Sequence, residues 1–440
     1  MPEVMRFDHH LCHAVAAAYQ SPFSNATCVV IDGEGEAGSV SVFDMTDRKL
    51  KRRWRSWGPG SLGTFYAWIT QACGFDWRLG EEWKVMGLAA FGRVVPDLVA
   101  HLTTLLVVDR GRLRFCNETC LAEVQAIVAQ YSRSQREPIM QAADLAASGQ
   151  AVFALVADQV LRFCASEKTG DGDLILTGGC ALNSSYNGSI AQRLGFDRVF
   201  VPSAPADDGN AIGAALLAWG KDQGQDAIPA GTGSASLGTR ISDSAIAKAK
   251  QWAGPLTTTE LANQPSDLIA ERLSQGKILG VMRGQAEFGP RALGNRSILA
   301  DPRRADMKDR LNREIKGREA YRPFAPIVQE KDADQWFENA QSSPYMSFTK
   351  RWRSSVADLV PAVVHEDGTG RLQTVTAESN PWLNELVENF GRLTSVPVLL
   401  NTSFNIMGKP IVHSVEDAIA VLMTSGLDGI VLEDLLIEKT

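Results

Sequence analysis

Apolar and polar residues follow one another in a pattern that predicts short helices and strands along the chain. The alanine-rich stretch at residues 8–20 predicts a helix, with Asp8 as its N-cap. The apolar run Ala26–Ile31 predicts a buried strand, and strand-like runs follow at residues 39–43 and 50–57. Three short strands in succession indicate an antiparallel meander.

Glycine turns separate the predicted strands and helices in the next part of the chain. Strands are predicted at residues 173–177 and at Phe200-Val201, and the first of them runs into Gly178-Gly179 and a helix. Further helical patterns lie at residues 62–73, 83–91, 145–168 and 207–219. Because strand, glycine and helix alternate after the meander, the pattern is typical of an α/β fold with a mixed sheet.

A change of composition divides the chain into two predicted domains. Residues 221–238 are rich in Gly, Ser, Ala and polar residues, which is typical of a linker. A second α/β pattern runs from about residue 240 to the end. The length of 440 residues allows two or three domains. We predict domains at residues 1–225 and 226–440.

Composition and charge narrow the class of protein. With 45% hydrophobic residues the chain can bury a large core, and its net charge of −7 argues against nucleic acid as a partner. No apolar run approaches the roughly 20 residues of a membrane span, and the N-terminal residues lack the order of a signal peptide. The seven cysteines, including Cys116 and Cys120, complete no zinc set. We predict a cytoplasmic protein with reduced thiols and no membrane partner, which could form a homodimer.

Three of the six histidines lie close together near the N-terminus, at His9, His10 and His13. On a helix His9 and His13 share a face, whereas His10 is turned away by about 100°. Two imidazoles one turn apart can bind one metal ion, as in zinc peptidases, but the glutamate of those enzymes is missing here. An ordinary pair of half-buried histidines is the alternative.

Carboxylates near predicted strand ends strengthen the metal hypothesis. Asp32 ends the run VVID, and Asp207 and Asp208 stand at a strand-to-helix turn. Acidic residues in such places are costly to bury unless a cation pairs with them. Two histidines with two carboxylates leave room for water or substrate on iron, manganese or zinc. Only one of Asp207 and Asp208 need be a ligand, and Asp207 could instead be a helix N-cap.

Two regions suggest phosphate binding. Gly178-Gly179, between a strand and a helix, could bring backbone amides close to a phosphate or ribose, or could simply be a tight connection. In the second half of the chain, basic residues alternate with Gly, Pro and Phe. This pattern does not fit solvated arginines on the polar face of a helix. Ser403 and Asn405 follow a predicted buried strand. Arginine and lysine suit phosphate oxygens, and the candidates are Arg283, Arg291, Arg296, Arg303, Lys316, Arg318 and Arg322.

Eight stretches of the chain resemble the NodU/CmcH carbamoyltransferase family. They occur in family order over nearly the whole chain, which is far more specific than any single motif. The stretches are DHHLCHA, SLGTFYAWIT, EEWKVMGLAAFG, GGCALN, PADDGNAIGAA, EFGPRALGNRSILADPR, REAYRPFAP and LLNTSFNIMGKPIV.

The resemblance implies both a fold and an activity. It implies an ASKHA (actin/sugar-kinase-like) domain followed by a YrdC-like α/β domain. The YrdC-like domain would convert carbamoyl phosphate and ATP, with Mg²⁺, to carbamoyl-adenylate. The ASKHA domain would then transfer the carbamoyl group to a hydroxyl of a small molecule such as an antibiotic or a sugar.

Site residues also follow from the resemblance. The metal positions match His9, His13, Asp32 and Asp208, with iron as the expected ion. The KxR and SxN signatures of YrdC proteins match Lys316/Arg318 and Ser403/Asn405. Catalytic roles fall to His13, Lys316 and Arg322. The expected cofactor-binding residues are Gly178, Gly179, Asn183, Arg291, Arg296, Lys316, Arg318, Arg322, Ser403 and Asn405.

One departure from the family concerns the N-terminus. Family members usually carry a sizeable segment before the HHxxxH helix, whereas this chain starts almost at the helix. We therefore expect an N-terminally shortened first domain. The alternative function is a truncated relative that binds nucleotide or makes the adenylate without completing transfer. The acceptor stays open among aminoglycosides, other sugars, oligosaccharides and polyketides.

Overall fold

The computed structural model of the protein describes residues 4–166, 172–223, 233–254, 256–261, 265–406 and 408–439. Contacts between Cα atoms divide the chain into two compact units, Met1–Gly233 and Ser234–Thr440. The predicted boundary between residues 225 and 226, with much of the predicted linker, lies outside the described residues.

A mixed sheet organises the first unit. The strands of this unit are β1 (Ala26–Ile31), β2 (Val40–Thr46), β3 (Lys49–Arg55), β4 (Leu106–Asp109), β5 (Arg112–Phe115), β6 (Leu174–Thr177) and β7 (Val199–Phe200). The sheet has the order β3-β2-β1-β6-β7, and β4 pairs with β5 in a separate hairpin. Antiparallel pairs join β1 to β2 and β2 to β3, whereas β1, β6 and β7 are parallel neighbours. The predicted meander and mixed sheet are confirmed.

The turn between β2 and β3 explains why these strands differ from the predicted ranges. Asp47 and Arg48 have φ of 48° and 60°, as a two-residue turn of type I′ requires. The Arg48 guanidinium donates to the carbonyls of Ser21 and Phe23 at 3.3 and 2.8 Å, which holds the turn. Because Asn-Gly or Asp-Gly is missing at this position, the sequence does not mark the turn, and the strands differ by a few residues from the predicted 39–43 and 50–57.

Helix α1 is buried along most of its length because small residues allow close packing. It begins after Asp8, whose side chain accepts a hydrogen bond from the backbone N–H of Leu11 at 2.9 Å. Gly213 lies where a Cβ would come 2.0 Å from the carbonyl oxygen of Cys12, so the helix that contains Gly213 packs against α1 at the backbone. The helices described in this unit are α1 (His9–Gln20), α2 (Leu62–Ala72), α3 (Glu82–Leu88), α4 (Pro96–Thr104), α5 (Glu118–Val128), α6 (Ala143–Ser166), α7 (Ser184–Asn187), α8 (Ile190–Leu194) and α9 (Asn210–Gln223).

Contrary to the prediction from the sequence, one long helix is apolar enough in composition to cross a membrane. The segment Ile139–Ala165, which contains most of α6, passes that test by length and hydropathy. Its most apolar window is 56% buried, and α6 packs against α2, α3 and α4. This burial favours the core helix of a water-soluble protein over a membrane span.

The second unit is built on a larger mixed sheet. Its strands are β8 (Thr257–Glu260), β9 (Leu279–Met282), β10 (Arg296–Ala300), β11 (Ala325–Gln329), β12 (Phe348–Arg351), β13 (Thr369–Val375), β14 (Val398–Ser403), β15 (Gly429–Leu432) and β16 (Leu435–Glu438). Its helices are α10 (Asp243–Trp252), α11 (Pro265–Ser274), α12 (Met307–Arg310), α13 (Ala333–Trp336), α14 (Pro381–Thr394) and α15 (Val415–Thr424). The strand order is β12-β13-β11-β14-β10-β9-β15-β16-β8.

Both faces of this sheet are buried, in two separate apolar cores. Alternate residues of β9 illustrate the division, because Leu279 and Val281 belong to one core and Met282 to the other. Side chains of a strand point alternately to opposite faces, so a strand buried on both sides reads as a continuous apolar run. The predicted α/β class is confirmed in both units, while the ASKHA and YrdC-like assignments remain predictions from the resemblance.

Close packing of α1 on α9 gives a first testable prediction. We expect Gly213→Ala to lower the free energy of unfolding by about 1–3 kcal/mol, because the added methyl group must push the Cys12 backbone away. Urea unfolding followed by circular dichroism measures the change. Ala215→Gly, at an exposed position of the same helix, is the control and should cost only about 1 kcal/mol of helix propensity. An unchanged midpoint for Gly213→Ala would show that α1 and α9 are not in close contact.

Candidate metal centre and anion site

Three segments of the first unit bring imidazoles and carboxylates to one point. α1 carries His9 and His13 one turn apart, Asp32 follows the last residue of β1, and Asp207 opens the turn that leads into α9. α1 packs against β1, β6 and α9, so the ends of these elements meet. One ligand atom from each of the four residues lies within 4.8 Å of the others.

The distances within this cluster are short and similar. The Nε2 atoms of His9 and His13 are 3.2 Å apart. Asp32 Oδ2 lies 2.9 Å from His9 Nε2 and 3.3 Å from His13 Nε2. Asp207 Oδ1 lies 3.3 Å from both nitrogens. His13 and Asp32 are buried, whereas Asp207 is exposed, so the cluster opens to solvent on the Asp207 side.

These distances fit the edges of a coordination polyhedron. Nitrogen and oxygen ligands about 2.0–2.2 Å from one transition-metal ion, at angles between 90° and 110°, are about 2.8–3.6 Å apart. Two imidazoles and two carboxylates also form a donor set that such ions accept. The residues present therefore fit one transition-metal ion held by His9, His13, Asp32 and Asp207.

Asp32 connects this cluster to the predicted Gly178-Gly179 turn. Its Oδ1 accepts a hydrogen bond from the Gly179 backbone N–H at 2.8 Å. Burial opposes ionisation of Asp32, yet hydrogen bonds from His13, Gly179 and His9 and the charge of His13 hold its pKa well below the usual value. Gly178 has φ of 90°, and a Cβ there would lie 2.4 Å from the carbonyl oxygen of Ile31. The turn thus positions a carboxylate, which differs from the predicted phosphate contact.

The structure places Asp207, and not the predicted Asp208, beside the histidines. The two residues open a 3-10 turn, Asp207–Gly209, in which neighbouring side chains point about 120° apart. Asp208 Oδ1 instead accepts a hydrogen bond from Gly209 N at 3.1 Å. Burial raises the pKa of Asp208 above its usual value.

Asn183, a predicted cofactor contact, is held inside the first unit. Its amide exchanges two hydrogen bonds with the amide of Gln150, at 3.0 and 3.1 Å. Its Oδ1 also accepts from the backbone N–H of Tyr186 and so caps α7. The side chain is buried and engaged, and this geometry favours a structural role.

In the second unit, Lys316 is buried among oxygen atoms of Ser403, the last residue of β14, and of Asn405, which follows it. Its Nζ donates to Asn405 Oδ1 at 2.8 Å, to the Asn405 carbonyl at 3.1 Å and to Ser403 Oγ at 3.3 Å, and it also contacts the Ser403 carbonyl. Gly317 is in the left-handed region with φ of 58°, which turns the chain between Lys316 and Arg318. The KxR and SxN segments therefore meet.

Sheet topology explains why further cations gather here. β11 starts shortly after Arg322, and β13 lies parallel to it while β14 runs antiparallel on its other side. Arg371, on β13, lies level with the start of β11, which is also where β14 ends. β10 begins five residues after Arg291 and faces the end of β14. The starts of three strands and the end of the fourth thus share one edge of the sheet.

Five cations form this anion-site cluster, namely Lys316, Arg318, Arg322, Arg291 and Arg371. Arg318 donates to Asn312 Oδ1 at 2.7 Å and lies 4.7 Å above the Phe324 ring. Arg322 has Glu319 as an acidic partner at 3.5 Å. Arg291 and Arg371 have no hydrogen-bond or ion-pair partner in the described parts of the chain, and Nε of Arg371 is buried.

Burial, and in three cases the charges of neighbouring arginines, lowers the pKa of four of these groups. Burial lowers the pKa of Arg291 to about 10. Burial and the Arg322 charge lower the pKa of Arg318 to about 9. Burial, with the charges of Arg291, Arg318 and Arg322, lowers the pKa of Arg371 well below its usual range, and the pKa of Lys316 is lowered by burial, Arg318 and Arg322. Each shift means that the charged form is less favoured here than in water, and a bound anion would stabilise it.

Three predicted phosphate candidates are engaged elsewhere. Arg296 is 1% exposed and donates to the carbonyls of Arg283, Gly284, Asn295 and Thr239 at 2.8–3.2 Å. Its guanidinium therefore stabilises the loop before β10, which differs from the predicted cofactor contact.

The other two arginines each pair with a carboxylate. Arg283 binds Asp434 Oδ1 at 2.8 Å and lies over the Trp382 ring, while Arg303 binds Asp301 Oδ2 at 2.7 Å. Sequence reasoning did not single out Arg371. A signal was available, because a single cation stands in the strand run TGRLQTV, where a charge without a partner is costly.

Comparison with known protein families gives two matches. Residues 1–216 match a family model described as "Carbamoyltransferase N-terminus", and residues 270–439 match one described as "Carbamoyltransferase C-terminus". The first match includes the metal cluster, and the second includes all five cations of the anion site.

Individual relatives cover nearly the whole chain. The chain is 38% identical over 445 residues to nodulation protein NolNO of Sinorhizobium fredii, and 36% identical over 447 residues to nodulation protein NolO of Bradyrhizobium diazoefficiens. It is 29% identical over 442 residues to 3'-hydroxymethylcephem-O-carbamoyltransferase of Amycolatopsis lactamdurans. Each alignment covers 97–98% of this chain, which spans 63% of the length of NolNO and 79% of NolO and of the cephem enzyme.

The metal cluster predicts different effects for two neighbouring aspartates. We expect Asp207→Asn to weaken the binding of one transition-metal ion by about tenfold or more, because it removes a ligand. Asp208→Asn is the matched control and should bind the ion like the wild type. Metal content after dialysis against a graded chelator series, measured by elemental analysis, gives the affinities. Equal metal loss in both variants would contradict the ligand set.

Arg291 and Arg371, which have no ion-pair partner among the described residues, predict stabilisation by phosphate-bearing anions. At about 100 times its Kd, ATP should stabilise the protein by about 2.7 kcal/mol, which is about 5–10 °C in Tm for a unit of this size. Arg371→Met should melt no lower than the wild type without ligand and should lose most of the gain. Arg304→Met is the control, since Arg304 is exposed and pairs with Asp306. A full ATP-dependent gain in Arg371→Met, read by differential scanning fluorimetry, would rule out this site.

Proposed function

The chain belongs to the carbamoyltransferase family, and we propose that it is an ATP-dependent O-carbamoyltransferase acting on a hydroxyl of a small molecule. The observation that carries the proposal is the presence of two different charged sites in one chain. One is a cluster of five cations with Glu319 as the acidic partner of Arg322. The other is the His9, His13, Asp32 and Asp207 cluster. The first suits polyphosphate substrates and the second suits transfer to an acceptor.

The activation step is proposed for the second unit. Carbamoyl phosphate and ATP are both multiply anionic, and together they would add negative charge to a cluster in which Glu319 pairs with Arg322. Arginine forks bind phosphate oxygens in pairs, and the buried Lys316 would neutralise charge on a transferring phosphoryl group. Mg²⁺ would accompany ATP. One water molecule would split carbamoyl phosphate into carbamate and phosphate. A carbamate oxygen would then bond to the α-phosphorus of ATP, whose bond to pyrophosphate breaks, so the products would be carbamoyl-adenylate, phosphate and pyrophosphate.

Ser403 and Asn405 support this step by positioning Lys316. Their oxygens surround its Nζ at 2.8–3.3 Å, so the ammonium group has a fixed place before substrate arrives. Ser403 Oγ also donates to Asn405 Oδ1 at 2.7 Å. A pre-organised cation needs little rearrangement when the charge of the transition state develops.

The transfer step is proposed for the first unit. A transition-metal ion, with iron the expected one, would act there as a Lewis acid toward the carbamoyl oxygen or the acceptor hydroxyl. Asp32 is fixed for this role by the Gly179 N–H and by the histidines. Asn210 Nδ2 lies 3.4 Å from His9 Nδ1 and orients that ring from its other side. Exposed Asp207 leaves the cluster open to an acceptor.

The acceptor class follows from the relatives only in outline. One relative is by its name a carbamoyltransferase of 3'-hydroxymethylcephem, and others are named nodulation proteins. We therefore propose a hydroxyl group of a secondary metabolite or a saccharide, and no nucleic acid. All seven cysteines are free thiols, which supports a reducing compartment such as the cytoplasm.

Two substitutions should separate the half-reactions. Lys316→Ala should lose pyrophosphate release that depends on carbamoyl phosphate by roughly 100-fold or more, because one charged phosphate contact is worth a few kcal/mol. His13→Ala should keep that release and lose the carbamoylated product. Pyrophosphate release and product mass are measured in parallel on each variant.

The outcomes discriminate between this proposal and its alternative. Equal loss of pyrophosphate release in folded His13→Ala and Lys316→Ala would contradict the division of labour. Pyrophosphate release from the wild type without carbamoylated product, across a broad panel of hydroxyl acceptors, would favour a relative that makes the adenylate without transferring it.

A further inference from the structure

Glu82 is a half-buried carboxylate with no cation beside it. It is the first residue of α3, and no described residue forms an ion pair or donates a side-chain hydrogen bond to it. Its neighbour Glu81 is engaged by contrast, accepting from Lys84 Nζ and from the Asp76 backbone N–H at 2.5 and 2.8 Å. Burial without a partner costs free energy, so Glu82 requires an explanation that Glu81 does not.

Helix α3, which begins with Glu82, packs against a segment adjoining the metal cluster. Met86 lies one helical turn after Glu82 on the same face, and its sulfur accepts from Ser184 Oγ at 3.7 Å. Ser184 belongs to the segment that follows the Gly178-Gly179 turn, the turn that binds Asp32. Cys180 in this segment is close enough to feel the charges of both Asp32 and Glu82.

Helix α2 also contacts α3. Ser61, the N-cap of α2, donates from Oγ to the Asp32 carbonyl at 3.3 Å. Burial, with smaller effects of the charges of Cys73 and Glu82, raises the pKa of Tyr66, one turn into α2. Glu82 therefore begins a helix that contacts two segments bonded to Asp32, and its half-exposed side chain is accessible to solvent.

We propose that Glu82 is the general base that accepts the proton of the acceptor hydroxyl, which rests on the carbamoyl transfer proposed above. The acceptor O–H bond breaks, and its proton passes to a Glu82 carboxylate oxygen. The acceptor oxygen bonds to the carbamoyl carbon, whose bond to the phosphate oxygen of AMP breaks with the electron pair leaving on AMP. Glu82 then returns the proton to water.

The environment of Glu82 suits this role. Burial, with a smaller effect of the adjacent Glu81, raises the pKa of Glu82 above its usual value, although the amide at the start of α3 opposes the shift. A base whose pKa lies closer to the working pH takes up a proton more readily. Asp32 and Asp207 are assigned to the metal ion, and Asp208 accepts a hydrogen bond from Gly209 N.

The test separates activation from transfer. Each protein receives carbamoyl phosphate, ATP and one of three hydroxyl probes: 3'-hydroxymethylcephem, tobramycin or an N-acetylglucosamine tetramer. Hydroxylamine replaces the probe in a second assay, because it reacts with an activated carbamoyl group without help from a base and reports the adenylate as hydroxyurea. The variants are Glu82→Gln and Glu82→Asp, with Glu81→Gln as the matched control.

Glu82→Gln should lower the carbamoylated alcohol by about 10²–10⁴-fold, the usual contribution of a general base. Its hydroxyurea yield and its metal content should equal those of the wild type. Glu82→Asp should restore part of the rate, and Glu81→Gln should leave it close to the wild type.

The pH profile supplies a readout that a structural role would not change. The titratable neighbours are Tyr66 on α2 and Cys180 in the segment after the Gly178-Gly179 turn. Burial raises the pKa of both well above their usual values. On α3 the charged neighbours are Glu81 and Lys84. The wild-type transfer rate should therefore fall toward acid as Glu82 gains a proton, and this limb should be absent in Glu82→Gln.

Two outcomes would overturn the inference. One is carbamoylation at the wild-type rate by Glu82→Gln. The other is an equal loss of hydroxyurea and alcohol product, which would mean that the substitution disturbs the fold. A wild-type protein that forms no hydroxyurea would contradict the proposed function itself, and the two failures are thus distinguishable.

Discussion

The burial of several cations close together is the constraint on which the anion site of the second unit depends. Lys316, Arg318, Arg322, Arg291 and Arg371 gather at one edge of the sheet. Burial lowers the pKa of four of them, and neighbouring charges add to the shift in Lys316, Arg318 and Arg371. Such an arrangement is unfavourable unless the surrounding structure is rigid and an anion completes it. A two-sided apolar core supplies that rigidity, because side chains from both faces of the sheet fix the strand ends.

In the first unit the grouped charges include carboxylates, and close packing of the backbone again fixes their positions. Carboxylates of Asp32 and Asp207 converge on His9 and His13, and the backbone holds them there. Gly213 lets α1 approach α9 closely, and Gly179 donates its N–H to Asp32. In both units strand ends and helix starts carry the charges, while apolar packing elsewhere sets their positions. The two sites differ in the sign of their charge, as the two proposed half-reactions require.

Many elements of the fold could be predicted from the sequence. The side chains that form the two sites could be predicted only in part, for physical reasons. Strong local signals placed β1 at Ala26–Ile31 and α1 after Asp8, and the meander and mixed sheet followed from alternation. Side-chain direction could not be predicted in the same way. Asp207 lies beside the histidines, and Asp208 does not, because of the geometry of a 3-10 turn. Arg296 donates to four backbone carbonyls because the loop before β10 folds back over it. Arg371 was missed because strand pairing, unlike spacing, brings it to the site.

The central claim is that a carbamoyl group is activated with ATP at the cation cluster before any transfer. Its most direct test is to mix the wild-type protein with ¹³C-labelled carbamoyl phosphate and ATP, without acceptor, and to examine the quenched mixture by mass spectrometry. The account predicts ¹³C-labelled carbamoyl-adenylate that disappears when an acceptor is added. Labelled product formed from carbamoyl phosphate in the absence of ATP, with no adenylate detected at any time, would contradict it.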